Sequence, residues 1–119
     1  MTWFEKSKSF EKNAGNALKM ELYDITCFSC QQAVELYLKG KIIAKSGSKP
    51  YTHSLVELLK IIEKLGHEVP NDILQCAKEL GEHYSQSRYP DARITEYEED
   101  EAEKAMRCMG EILGYAKLL

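Results

Sequence analysis

Trp3, Ser7, Phe10, Ala14 and then Ala17 or Leu18 recur at steps of three and four, the spacing of one helical face, while Lys6, Lys8, Glu11, Lys12 and Lys19 occupy the others. Gly15 interrupts this stripe, and its cost relative to Ala calls for a close helix neighbour there. A second segment, about Leu22 to Lys45, is apolar on more than one face through Ile25, Phe28, Cys30, Ala33, Val34, Leu36, Tyr37, Leu38, Ile42 and Ile43. A helix apolar nearly all round is buried on most sides, so this one runs through the centre of a bundle or lines a subunit contact. Turn formers from Ser46 to Pro50 end it.

Ser54 and Glu57 have the spacing of a capping box, and Thr52 is an alternative cap if the helix starts earlier. Leu55, Leu58, Leu59, Ile62 and Leu65 continue a stripe that Gly66 is placed to end. Pro70 suits a first helical position, and Ile73, Ala77, Leu80 and Tyr84 mark a fourth helix. Ser87 to Ile94 carries Pro90 and no stripe, so it reads as a loop. Thr95 with Glu98 forms a further capping box before Ala102, Ala105, Met109, Ile112 and Ala116 define the last helix. Five helices without strand signals predict an all-α antiparallel bundle with short connections.

A chain of 119 residues sits in the range of one domain with one core, here residues 1–119. Its formal charge of −3 offers no general attraction to a polyanion, so nucleic acid is not the expected partner. No apolar stretch approaches the ~20 residues of a membrane span, and the N-terminal residues lack the pattern of a secretory signal. A cytoplasmic protein is expected. All four cysteines lie in helical patterns rather than in a loop-rich disulfide framework, so free thiols are expected. Cys27 and Cys30 could make a redox pair or half of a zinc site, but residues three apart share a helical face and buried cysteine packs as a small apolar residue. No metal and no cofactor is assigned.

Candidate chemistry concentrates at a few polar positions. His53 sits at a predicted helix start, where backbone N–H groups favour an anion such as phosphate; otherwise it is a partner for the loop or cap. In Arg88-Tyr89-Pro90-Asp91 the arginine can grip a phosphate or carboxylate, Tyr89 can stack on a base, and Asp91 can accept from a ribose or orient the arginine. The alternative is an Arg88–Asp91 clamp pinning the loop, with Tyr89 as a lid. His83 lies close enough in sequence to join a site at this loop. Gln31 and Gln32 inside an apolar helix either satisfy a buried polar group or face a cleft or dimer contact. The acidic run from Glu96 to Glu103 reads as a solvated helical first turn.

Three segments in order, Cys27-Phe28-Ser29-Cys30-Gln31-Gln32-Ala33-Val34-Glu35-Leu36-Tyr37-Leu38-Lys39-Gly40, then Thr52-His53-Ser54-Leu55, then Ser87-Arg88-Tyr89-Pro90-Asp91, resemble those of HEPN proteins, small helical domains linked to nucleotide binding. The resemblance covers nearly the whole chain. It implies an up-and-down bundle of four main helices plus a shorter one, a homodimer, and association with a separately encoded minimal nucleotidyltransferase, in a role open between toxin–antitoxin-like control and substrate delivery. Ribonuclease members of the family carry Arg followed after four to six residues by His, a pair suited to acid–base cleavage of RNA. After Arg88 those positions hold Arg93, Ile94 and Thr95; after Arg93, Glu98, Glu99 and Asp100; after Arg107, Ile112, Leu113 and Gly114.

With no complete catalytic motif, the first reading is a non-catalytic module that partners the nucleotidyltransferase and binds nucleotide through Arg88, Tyr89, Asp91, His53 and His83. The alternative is a toxin-like ribonuclease using His83 and Arg88 in reversed order.

Overall fold

The computed structural model describes residues 1–119. It contains α1 (Trp3–Lys19), α2 (Tyr23–Ser46), α3 (Leu55–Lys64), α4 (Asn71–Gly81), a single turn α5 (His83–Gln86) and α6 (Glu99–Lys117), with no strand. Short connections fold them into a helical bundle. Helix α2, about 36 Å long at 1.5 Å per residue, touches each of the other five. Its burial on several sides is therefore met within one chain.

The core is a single cluster in which Leu38 and Ile42 of α2 meet Leu58, Leu59 and Ile62 of α3, Leu80 of α4 and Ile112 of α6, all at most 2% exposed. Each such side chain contributes about 1.5–3 kcal/mol by leaving water. The close helix approach expected at Gly15 lies elsewhere, since a Cβ there would meet nothing within 4 Å. It occurs at Gly40, where an added Cβ would stand 2.9 Å from Phe4 Cε1 and 3.0 Å from Trp3 Cβ. Glycine at 40 lets the start of α1 lie against α2.

The caps differ in part from the sequence patterns. Thr2 and Glu5 close a full capping box on α1. Ser54 Oγ accepts from the Glu57 N–H at 3.2 Å, but the Glu57 carboxylate turns to the Thr52 hydroxyl instead of completing the box. Pro70 caps α4 rather than entering it. Thr95 does not cap α6, which starts at Glu99 without a side-chain cap, because the Thr95 hydroxyl accepts from Arg93 instead. The expected fourth helix breaks at Glu82, so Tyr84 falls on the separate turn α5.

Two of the four cysteines are not free. Cys76 of α4 and Cys108 of α6 form a disulfide. Cys27 and Cys30 remain thiols inside the core. Burial pushes the Cys27 thiol up to about 12 and raises Cys30 as well, which favours the protonated thiols in the core.

Candidate functional site

Gln31, Glu35 and Lys39 follow one another at steps of four along α2, which stacks them on one line of the helix. All three are buried, at 0%, 3% and 6% exposure. The Glu35 carboxylate is the centre of this line. Oε1 accepts from Gln31 Nε2 at 2.9 Å and from Gln32 Nε2 at 3.4 Å; Oε2 accepts from Lys39 Nζ at 2.9 Å and stands 2.9 Å from His53 Nδ1. Gln32 also donates to Gln31 Oε1 at 2.8 Å. The two glutamines thus satisfy a buried polar group, the first of the alternatives their positions left open.

His53 comes from the loop before α3 and keeps about half of its side chain exposed. Its ring stacks on Tyr84 of α5, with centroids 4.3 Å apart and planes 15° from parallel. The Arg88 guanidinium lies 4.2 Å from the centre of the same Tyr84 ring. Tyr84 is thus a packing partner shared by His53 and Arg88. Arg88 Nε donates to the Tyr84 carbonyl at 2.6 Å, and the guanidinium also lies 5.3 Å from the Tyr89 ring. His53, Tyr84, Arg88 and Tyr89 form one continuous stack, held by stacking and cation–π attraction.

The Arg88–Asp91 clamp is not made. Asp91 is exposed and takes no part in any hydrogen bond or ion pair, so its expected role beside Arg88 has no geometric support. Another arginine pins the loop. Arg93 Nη1 and Nη2 donate to Glu101 Oε2 and Oε1 at 2.8 and 3.0 Å, a two-pronged pair joining the loop to the first turn of α6, and its guanidinium lies 4.0 Å from the centre of the Tyr97 ring. Bonding to Glu101 raises the Arg93 pKa further above its ordinary value, and burial pushes the Tyr97 phenol up to about 12. Both keep their protons at any physiological pH.

Between this loop and the start of α2 lies an open cleft of about 620 Å³. Tyr23, Tyr89 and Tyr97 line it together with Arg88 and Arg93, and Glu21, Asp24 and Glu96 line it as well, adding negative charge. Since Arg93 is committed to Glu101, Arg88 is the cation that remains for an incoming anion. Three tyrosines and one available guanidinium suit a ligand with an aromatic plane and an anionic group.

Of the five residues expected at the site, Arg88 and Tyr89 line the cleft. His53 is not in it but backs Arg88 through Tyr84. His83 does not line the cleft: it is 7% exposed, with Nδ1 2.7 Å from the Tyr97 hydroxyl, and lines a separate 320 Å³ pocket with Glu101. Burial lowers its pKa below the ordinary 6.5. A reversed His83–Arg88 cleavage pair therefore lacks convergence: His83 is turned to Tyr97 and Arg88 to Tyr84. Sequence reasoning missed Tyr23, Glu35, Lys39, Tyr84, Arg93 and Tyr97.

The HEPN domain model matches residues 1–119, the full length described. The chain belongs to the HEPN family. The HEPN bundle seen here is similar to the crystal structure of TT1696 from Thermus thermophilus, with 32% identity, a TM-score of 0.89, and coverage of 97% of this chain and 93% of that one. It is also similar to ST0689, an archaeal HEPN homologue, at 31% identity and a TM-score of 0.77 over 97% and 92% of the two chains. A HEPN domain protein of Thermotoga maritima shares the fold at 22% identity and a TM-score of 0.76, over 97% of this chain and 93% of that one. No curated protein matches. No helix of this HEPN domain is long and apolar enough to cross a membrane.

Proposed function

We propose that this HEPN domain is a homodimeric accessory module that partners a separately encoded minimal nucleotidyltransferase and binds nucleotide in the cleft between α2 and the loop after α5, without catalysis of its own. The observation that carries this reading is the cleft itself, which Arg88 lines together with Tyr23, Tyr89 and Tyr97. A base stacks on a tyrosine, and a phosphate takes the free Nη groups of Arg88. One available arginine beside three acidic lining residues suits a small nucleotide better than a nucleic-acid strand, whose binding draws on many cations.

The absence of an Arg-x4-6-His pair and the separation of His83 from Arg88 both weigh against the ribonuclease alternative. The burial of α2 within its own bundle means that its apolar character no longer argues for a subunit contact. The homodimer rests on the family and on the exposed apolar run of Met20, Leu22 and Ile25 where α1 turns into α2.

Calorimetric titration with ATP, GTP, CTP and UTP, with and without magnesium, tests the nucleotide part. Saturable heat with at least one nucleotide, lost in a folded Arg88→Ala variant, is expected. Absence of heat with all four removes it. Light scattering reads the dimer, and co-elution with a minimal nucleotidyltransferase from the same genome reads the partner.

A further inference from the structure

We propose that Glu35 is the positioning residue of this nucleotide site, acting through His53 and Tyr84 on Arg88, and that it presents His53 Nε2 as a fixed hydrogen-bond acceptor at the edge of the stack. The inference rests on the nucleotide reading above and adds to it a residue that never touches the ligand.

Glu35 carries the charge that makes this work. Its Oε2 is 2.9 Å from the Lys39 ammonium, a group that can only donate, so the oxygen accepts. The same oxygen faces His53 Nδ1 at 2.9 Å, and a carboxylate oxygen leaves that nitrogen one role, donor. In the neutral ring Nε2 is then bare. Nδ1 is the ring atom of His53 that bonds within the protein, and half of the side chain is open to solvent, so Nε2 is free to accept from outside.

The same bond fixes the plane of the ring. With Nδ1 tied to a carboxylate that Gln31, Gln32 and Lys39 hold in place, His53 cannot rotate without losing its bond to Glu35. Tyr84 lies flat on that ring, and Arg88 packs over the same Tyr84 ring with its Nε donating to the Tyr84 carbonyl. Each layer sets the height and tilt of the next. Arg88 Nη1 and Nη2 are thereby aimed by a residue in the middle of the core helix.

A buried Glu–Lys pair is a poor choice for stability alone, because apolar residues of similar volume usually serve as well or better. A role in orienting a surface histidine gives the pair a reason to be there.

The test combines a spectroscopic and a binding readout on the full chain. Nitrogen-15 NMR of the neutral His53 ring is expected to show the proton on Nδ1; a proton on Nε2 overturns the proposal. Because Glu35→Gln leaves the Lys39 ammonium uncompensated and risks unfolding, the decisive variant is the double change Glu35→Met with Lys39→Met. It is expected to stay folded, to lose the Nδ1 tautomer, and to bind the tightest of ATP, GTP, CTP and UTP about tenfold more weakly, a typical coupling within one network. Unchanged affinity in the folded double variant overturns the positioning role while leaving the nucleotide reading intact. Absence of binding by the wild type defeats the nucleotide reading, and the positioning role with it.

Discussion

Glu35 and Lys39, one helical turn apart on α2, form an ion pair at 2.9 Å with side chains only 4% and 7% exposed. Their attraction offsets the cost of taking both charges out of water only while both are present. Glu35→Ala, which strands the ammonium, is expected to destabilise the domain by about 3–5 kcal/mol, whereas Glu35→Met with Lys39→Met should recover part of that loss, since it removes the stranded ammonium but leaves the Gln31 amide without its acceptor. Urea denaturation of the three proteins checks this. A single variant as stable as the wild type would show that the pair is not desolvated.

The disulfide between Cys76 and Cys108 closes a loop with a sequence separation of 32. Limiting the unfolded chain by a loop of that size stabilises by about 3–4 kcal/mol in the chain-entropy model. Reduction with a dithiol, or Cys108→Ser, is expected to lower the melting temperature by a similar amount in each case. A melting temperature indifferent to both treatments contradicts a bond between these two residues.

Much of the fold was legible because one chemical signal governs it. Apolar residues on several faces of α2 marked the central helix, and stripes of period 3.6 marked the others. The pairing of Cys76 with Cys108 was not legible, since it depends on how α4 and α6 face each other and neither helix carries that information alone. Glu35 was hidden for a related reason. It stands between Val34 and Leu36 like any surface glutamate, and its partner His53 lies 18 residues away. The i,i+4 spacing of Gln31, Glu35 and Lys39 inside an otherwise apolar helix was the available signal. At the loop, the sequence singled out Arg88 and Tyr89 and offered an Arg88–Asp91 clamp as one of two alternatives, because a neighbouring acid looks like a partner. Glu101, eight residues beyond Arg93, is the acid that the fold delivers.

His83 makes stability depend on pH in a defined direction. Burial depresses its pKa in the folded state below 6.5. Above that value the ring is neutral in both folded and unfolded chains and contributes no pH dependence. As the pH falls below 6.5 the unfolded chain binds a proton that the folded chain resists, so stability declines until the folded pKa is passed. The melting temperature should therefore fall more between about pH 7.5 and about pH 5 in the wild type than in His83→Gln, which has no ring to protonate. Parallel pH profiles would place His83 in contact with solvent.

The central claim is that nucleotide enters the cleft between α2 and the loop after α5. Residue-resolved NMR during a titration with the nucleotide that gives the largest calorimetric heat tests it most directly. The account predicts saturable shifts confined to Tyr23, Arg88, Tyr89, Tyr97 and the His53 ring behind them. Shifts clustered elsewhere on the bundle, or none up to millimolar nucleotide, would contradict it.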